Sequence, residues 1–375
     1  MSLRESQLAR ARVRARLKRN RTHAPRRLTL AALALALTAL ALTPARVLAA
    51  QSPPHWTLVA ESWPSALRAG DPADRYVLTL TNTGAGPTDG SVVRIKDSLP
   101  PGLHASAIEG ETGSGEPLEC SVGALRCTTS RTLGPFEYAT VRITLSVSGP
   151  PGEAGPDIAD LTGGGAPSAS TSNPVLISPP GAPPAPFGAP LFALEALEAG
   201  GEPATQAGTH PFALVTSVGL GVGAIEEGLP ALGADDRDLE VALPPGLLAN
   251  ASALPRCAQA SFQSEGASNC PPDAQVGSIR LFPFGAREPG RPAAPLTVPV
   301  YNLAAPPGHL GELGFTIRSI FHVPLFLDLH EESSLAGAGR YRLAATLPNL
   351  PEGLPIRAAT LLLWGLPADP LHDPL

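Results

Sequence analysis

Aromatic residues are scarce in this chain of 375 residues, at 5% of the sequence, and it contains three tryptophans and four tyrosines. A hydrophobic core built from it must therefore consist mainly of Ala, Val and Leu. Familiar catalytic motifs are also lacking, because no Gly-x-Ser-x-Gly, no His-Glu-x-x-His and no glycine-rich phosphate loop occurs. We therefore expect a protein that is not an enzyme and that uses no cofactor.

Basic residues are few outside the N-terminus. The chain holds 27 Lys and Arg against 33 Asp and Glu, and residues 1–50 contain 11 of the basic residues but only one acid. The remaining chain has 16 basic and 32 acidic residues. Such an acidic surface repels phosphate backbones, so we expect no nucleic-acid partner.

Residues 1–50 have the pattern of a signal peptide. A basic stretch precedes an uncharged run over residues 28–45, and small residues follow it, with cleavage expected near Ala49 and Ala50. An uncleaved membrane anchor is the alternative, although 18 residues are slightly fewer than a spanning helix needs. The N-terminus therefore predicts an exported protein, in the cell envelope or outside the cell. A membrane becomes a partner only if this segment is not cleaved.

Two Pro-Pro-Gly segments each follow a short run in which apolar and polar residues alternate. Residues 97–103 read Asp-Ser-Leu-Pro-Pro-Gly-Leu and end a run containing Val93 and Ile95, and residues 243–247 read Leu-Pro-Pro-Gly-Leu after a similar run. Alternation at period two is typical of half-buried strands, and proline followed by glycine ends them. Residues 140–148 alternate in the same way. With 38 glycines, 44 prolines and no amphipathic helix, this pattern predicts a β-sandwich.

The four cysteines form two closely spaced pairs. Cys120 and Cys127 flank Gly123, as in a hairpin, and Cys257 and Cys270 are 13 residues apart. Free thiols or a metal pair are the alternatives for the first pair, but no histidine is near. In an exported chain we expect the disulfides Cys120–Cys127 and Cys257–Cys270.

The first part of the chain resembles a known repeat. The segments concerned are Trp63-Pro64, Arg68-Ala69-Gly70, Tyr76, Asn82-Thr83-Gly84, residues 97–103 and residues 160–165. Over residues 51–178 they resemble the bacterial surface-protein conserved repeat called domain of unknown function 11. The resemblance implies an immunoglobulin-like fold that serves as an extracellular spacer or adhesive module. It implies no catalytic residue.

A proline-rich stretch, residues 179–190, is expected to be an extended linker that spaces two domains apart. The second domain, residues 191–375, is again rich in strand and turn signals. Segments such as residues 205–212, 238–247, 299–303 and 363–365 resemble a β-rich region of uncharacterised exported actinobacterial proteins. Those proteins continue further, so the resemblance implies a second domain that is shortened at its C-terminus.

Two clusters of polar residues are candidate metal sites. Asp235, Asp236 and Asp238 precede a predicted strand and could bind calcium, although a solvated acidic loop is the alternative. His322, Asp328 and His330 share one face of a predicted strand, whose other face carries Val323, Leu325, Leu327 and Leu329. A solvent-facing polar surface is the alternative there.

Together these patterns predict an all-β protein with two immunoglobulin-like β-sandwich domains, joined by a Pro-rich linker after an N-terminal signal helix. We expect a non-catalytic structural or adhesive protein of the cell envelope, whose partners are cell-wall polymers or other surface proteins. A carbohydrate-binding module is one alternative, and would need exposed platforms from Trp56, Trp63 or Trp364. A secreted hydrolase is another, and would need a buried carboxylate pair or a Ser–His contact in a cleft.

Overall fold

The structure, a computed structural model, describes residues 53–71, 74–182, 188–226, 229–232, 237–265, 269–283, 286–288, 291–292, 294–318, 322–331, 342–351 and 356–372. The proposed signal peptide with Ala49 and Ala50 lies outside these residues, as do Asp235 and Asp236. The described chain is almost entirely β, which confirms the predicted all-β class. Among its helices none is long and apolar enough to cross a membrane.

The first half of the described chain forms two facing sheets. Its strands are β1 (Trp56–Trp63), β2 (Ala66–Arg68), β3 (Arg75–Asn82), β4 (Val93–Ser98), β5 (Leu103–Thr112), β6 (Glu119–Ser121), β7 (Arg126–Thr129), β8 (Tyr138–Val147), β9 (Gly152–Gly163) and β10 (Ala166–Ser178). The front sheet has the order β1-β3-β8-β5, and the back sheet has the order β2-β10-β9-β4-β7-β6.

Alternating residues of both sheets fill the space between them. In β8 the predicted inward residues are all buried: Val141, Ile143, Leu145 and Val147. They pack against aliphatic residues of the back sheet, including Ile95 and Leu161. Burying each such side chain stabilises the fold by roughly 1.5–3 kcal/mol. This arrangement is a β-sandwich, as the alternation predicts.

The Pro-Pro-Gly segment after β4 makes a tight turn at the end of the sandwich. Gly102 adopts φ +87°, a conformation that residues with a side chain rarely adopt. A Cβ atom at this position would lie 2.7 Å from Cα of Gly149. Glycine is therefore required at position 102 both by the turn and by the close approach of the two chain segments that contain Gly102 and Gly149.

The second half is built on one nine-stranded antiparallel sheet, called the curled sheet here, of order β11-β12-β23-β16-β19-β20-β21-β22-β15. Two short ribbons, β13-β14 and β17-β18, accompany it. The strands are β11 (Leu191–Leu197), β12 (Ala213–Gly219), β13 (Val222–Glu226), β14 (Leu229–Leu232), β15 (Leu239–Ala242), β16 (Gln275–Pro283), β17 (Ala286–Glu288), β18 (Arg291–Pro292), β19 (Leu296–Leu303), β20 (Gly311–Arg318), β21 (His322–Glu331), β22 (Leu343–Leu347) and β23 (Ile356–Trp364).

One short helix, α1 (Gln259–Glu265), lies within the loop closed by Cys257 and Cys270. Four single 3-10 turns complete the described secondary structure: Val122–Ala124, Ala251–Ala253, Pro272–Ala274 and Pro370–His372. Phe262 of α1 is fully buried against the outer face of the curled sheet, where its ring meets Phe326 edge-on at 5.7 Å. The Cys257–Cys270 disulfide therefore holds the loop with α1 against that face of the sheet.

The two halves pack directly on each other, in contrast to the spacing expected of the Pro-rich stretch. Residues 53–372 belong to one compact unit, although residues 183–187 of that stretch lie outside the described chain. The front sheet stacks on the outer face of the curled sheet. Two hydrophobic clusters draw residues from both halves, one around Phe136 and Leu362 and the other around Trp63 and Val222. Arg142, on the face of β8 that points away from the sandwich core, is 7% exposed, whereas Ser146 on the same face stays exposed.

Two arginines of the curled sheet insert into this interface. Arg357 forms an ion pair with Glu61 of β1 at 2.9 Å, and its guanidinium lies 4.2 Å from the ring centre of Trp63. Arg280 lies over the rings of Phe136 and Tyr138 and donates a hydrogen bond to Thr81 of β3. The interface therefore depends on paired charges and ring stacking as well as on aliphatic contact.

Candidate ligand-binding site

The inner face of the curled sheet lines an apolar cavity of about 160 Å³ that is partly open to solvent. Eight of the nine strands contribute to its wall, including β12 and β15 near opposite ends of the strand order. The sheet therefore curls far enough for distant strands to face the same space. The wall consists of Leu214, Thr216, Val218, Leu220, Leu239, Val241, Leu243, Ile279, Leu281, Val300, Phe315, Leu325, Leu327, Leu329, Ala345, Leu347, Leu350, Pro351, Ile356, Ala358, Ala359, Leu361 and Leu363.

Strand alternation explains why the wall is so uniform. Along β16, Ile279 and Leu281 face the cavity, while Arg280 between them points to the front sheet. Along β21, Leu325, Leu327 and Leu329 face the cavity, as their alternation predicts for a buried face. The only polar side chain in the wall is that of Thr216. The cavity therefore offers an apolar guest dispersion contacts on every side and almost no hydrogen bonds.

The polar face of β21 makes ordinary hydrogen bonds and ion pairs. Asp328 lies 3.5 Å from Nδ1 of His309, and its cross-strand neighbour Glu312 accepts hydrogen bonds from Gln259. Burial raises the pKa of Glu312 above its usual range. Among the described residues no group of three or more His, Cys, Asp or Glu is placed to hold a metal. The side chain of His322 lies outside the described part.

Of the three calcium candidates, Asp238 alone is described. Its carboxylate accepts a hydrogen bond from the backbone N–H of Asn349 at 2.8 Å and lies 3.8 Å from Nε of Arg237. Asp238 thus connects the start of β15 to the loop after β22. Asp235 and Asp236 fall outside the described residues, so the calcium hypothesis stays a prediction.

The structure forms both predicted cysteine pairs. Cys120 and Cys127 are joined across the β6–β7 hairpin, and Cys257 and Cys270 across the loop that contains α1. No free cysteine remains in the chain. Disulfides persist in oxidising compartments, so the protein is suited to such an environment.

The tryptophans do not form an exposed platform. Trp56 and Trp63 are 1% and 3% exposed, and Trp364 stacks on His372 with ring centres 4.9 Å apart. Trp56 belongs to the sandwich core and donates a hydrogen bond from Nε1 to the carbonyl oxygen of Gly163. Their indole faces are therefore occupied by the protein itself.

A pair of buried carboxyl groups lies inside the first sandwich. Asp97 of β4 and Asp157 of β9 are 3% and 1% exposed, and they approach each other and the hydroxyl of Tyr76. Burial raises the pKa of both groups, and the neighbouring charge of Asp97 raises that of Asp157 further. Neither residue lines the cavity of the curled sheet or the groove described next, so the pair is not placed to meet a substrate there.

A polar groove of about 920 Å³ opens where the two halves meet. Its walls come from the front sheet with the loops beside it and from strands β16 and β19. Hydroxyl-bearing side chains dominate it, together with Arg131, Arg280, Glu116 and Glu137. The hydroxyl-bearing residues are Thr112, Ser114, Ser130, Thr132, Tyr138, Ser278 and Thr297.

Sequence reasoning missed both the cavity and the groove. The residues that line the cavity alternate along their strands in the same way as those of a fully packed strand face. The sequence pattern therefore does not indicate whether a cavity remains between them. The burial of Asp97 could have been predicted from the sequence, because side chains two residues apart on a strand share a face and Asp97 therefore lies on the face of the buried Val93 and Ile95. An acid in register with two core residues indicates a buried carboxyl.

Comparison with known proteins identifies no family. No family model matches the chain, and no curated protein matches it. Among solved structures, an inactive mutant of the GH20 exo-β-N-acetylglucosaminidase from Vibrio harveyi is similar over 50% of this chain, with 10% identity and a TM-score of 0.17. The match spans 24% of that protein. A likeness of this size carries no argument about fold or function.

Proposed function

We propose that this is a non-catalytic exported protein of the cell envelope, whose curled sheet binds one aliphatic chain of a lipid. The first sandwich is its structural or adhesive support. The observation that carries the proposal is the cavity wall, in which 22 of 23 residues are apolar. An aliphatic chain needs such a wall, because it gains from leaving water and requires no polar partner.

The size of the cavity supports an occupant. Protein interiors are close-packed, and voids much larger than a water molecule are few. The cavity is partly open to solvent, and Leu239, Val241 and Leu243 of its wall are only half-buried, so a chain seated there would remove further apolar surface from water. Engineered apolar cavities of similar size bind small hydrocarbons.

Export is supported by the composition of the N-terminus and by the two disulfides, which suit an oxidising compartment. Because Trp56 and Trp63 are buried and Trp364 stacks on His372, the tryptophans do not give the carbohydrate-binding alternative its expected platform. The buried carboxyl pair lies away from the cavity and the groove, so it lends a hydrolase no support. We therefore place the function in binding and support rather than in chemistry.

The test is a binding experiment with the purified secreted protein. Native mass spectrometry first asks whether a lipid is retained, and the delipidated protein is then titrated with a fluorescent fatty-acid analogue. We expect saturable binding with a stoichiometry near one. Competition by dodecanoate, but not by hexanoate at equal concentration, is expected because longer chains bury more apolar surface.

A cavity-filling variant is expected to weaken this binding. Ala345 of β22 faces the cavity, so Ala345→Leu places three further carbons in it and should weaken binding at least about tenfold. Stability should be retained or increased, because the added methyl groups occupy a void. Ala242→Leu is the matched control, since Ala242 is exposed on the neighbouring strand β15 and does not line the cavity. Equal binding by both variants would contradict the proposal, as would the absence of binding by the folded wild type.

A further inference from the structure

The polar groove between the halves contains a cation without a counter-ion. Arg280 lines this groove and is only 2% exposed. Its guanidinium lies between two aromatic rings, 4.2 Å from the ring centre of Phe136 and 4.4 Å from that of Tyr138. The rings fix its plane and leave its edges free to donate hydrogen bonds.

Few of those donors are used within the protein. Among the described residues the guanidinium makes one hydrogen bond, from Nη1 to Oγ1 of Thr81 at 3.2 Å, and Nε has no partner. No described carboxylate lies within ion-pair distance of it. Of the two acids of the groove, Glu116 pairs with Arg131 at 2.6 Å. Glu137 accepts a hydrogen bond from the N–H of Gly134, and its charge acts on Arg280 only from beyond ion-pair distance.

A buried arginine in this position is unusual. Burial lowers its pKa to about 10, so the group remains charged at neutral pH. Buried charges are ordinarily paired, and the other interface arginine, Arg357, has its partner in Glu61. The planar fork of donors on Arg280 matches the two oxygens of a carboxylate.

We propose that this groove binds a carboxylate-bearing saccharide, whose carboxylate pairs with Arg280. Four exposed hydroxyl-bearing side chains of the groove can donate to and accept from sugar hydroxyls: Ser114, Ser130, Thr132 and Thr297. The chain after residue 50 holds 16 basic and 32 acidic residues, an excess of negative charge that disfavours polyanions, so we assign a ligand with a single carboxylate. This site is separate from the apolar cavity and stands independently of the lipid proposal.

Substitution of Thr297 tests whether Arg280 pairs with a ligand carboxylate. It is exposed in the groove and lies directly opposite Arg280 in the β16–β19 register. A carboxylate at this position can reach the guanidinium, since opposite residues of an antiparallel pair share a face. Thr297→Glu should therefore place a carboxylate beside Arg280 and block the binding of a ligand carboxylate. Thr297→Gln introduces a side chain of the same size without the charge.

The full-length secreted protein and both variants are titrated with sodium glucuronate by calorimetry. We expect the wild type and Thr297→Gln to bind glucuronate, Thr297→Glu to bind at least about tenfold more weakly, and glucose to bind at least about tenfold more weakly than glucuronate. We also expect Thr297→Glu to melt at a higher temperature than Thr297→Gln, because it neutralises a buried charge.

Several results would overturn the proposal. One is the absence of glucuronate binding at millimolar concentration by a wild type that is folded by circular dichroism. Another is equal glucuronate affinity of Thr297→Glu and Thr297→Gln. Acetate or inorganic phosphate binding as tightly as glucuronate would overturn the saccharide assignment, because the hydroxyls would then contribute nothing. The two proposals fail separately, since the Thr297 variants leave the lipid cavity unchanged.

Discussion

Glu61→Gln is expected to lower the free energy of unfolding by about 3 kcal/mol at neutral pH, because it leaves a charge unpaired in the interior. Glu61 is the ion-pair partner of Arg357, at 2.9 Å, and both side chains are largely buried between the front sheet and the curled sheet. Nε of Arg357 has no hydrogen-bond partner, so the guanidinium depends on this carboxylate and on the ring of Trp63. Denaturant unfolding followed by tryptophan fluorescence measures the change.

Glu109→Gln is the matched control for that measurement. Glu109 also pairs with an arginine, Arg142, at 3.0 Å, but its own side chain is 68% exposed. Exposed ion pairs contribute little, so we expect a loss below about 1 kcal/mol. The double variant Glu61→Leu with Arg357→Met should recover most of the stability lost by Glu61→Gln, because it removes both charges together. A Glu61→Gln loss no greater than that of the control would show that the halves do not depend on this pair.

The unfolding free energy is expected to fall by at least about 1 kcal/mol as the pH rises from about 7 to about 9. The main cause is Asp157, whose pKa is raised to about 9 by burial and by the neighbouring Asp97, whereas burial raises the pKa of Asp97 only to about 6, below this range. An unfolded aspartate has a pKa near 3.9 and is already ionised in this range. The folded protein therefore holds more protons than the unfolded chain, and stability is lost as the pH rises through the folded pKa. Asp74, whose pKa burial raises to about 7, acts in the same direction at the lower end.

Asp157→Asn isolates this effect from the general charge of the protein. It keeps the size of the side chain and removes the group that titrates in this range, so we expect most of the loss between about pH 7 and about pH 9 to disappear, with Asp74 accounting for the remainder. Asp160→Asn on the same strand serves as control, because Asp160 is exposed and should leave the pH profile parallel to that of the wild type. Parallel profiles for both variants would mean that the pair is ionised in the folded protein at neutral pH.

Local sequence patterns predicted much of the first half. Alternation identified the buried faces of β4 and β8, and the spacing of the cysteines identified the hairpin that joins Cys120 to Cys127. These features depend on residues that are close in sequence. Each could therefore be read from a short window.

The stacking of the two halves could not be read in this way. Arg357 and its partner Glu61 are 296 residues apart, and Arg280 and Thr81 are 199 apart. In the alternating pattern both arginines occupy positions typical of a solvent-exposed face, and only the presence of another sheet makes those positions buried. The cavity could not be predicted from the sequence for a related reason, because its volume depends on how strongly the nine-stranded sheet curls.

The second Pro-Pro-Gly segment follows β15, which is the last strand in the order of the curled sheet. An outermost strand can act as a template for another chain, because its backbone donors and acceptors on one side are available for pairing. Here that template is only four residues long, carries the exposed Glu240, and is followed by two prolines that cannot donate a backbone hydrogen bond. The same segment that ends the strand thus limits pairing with another chain through this edge.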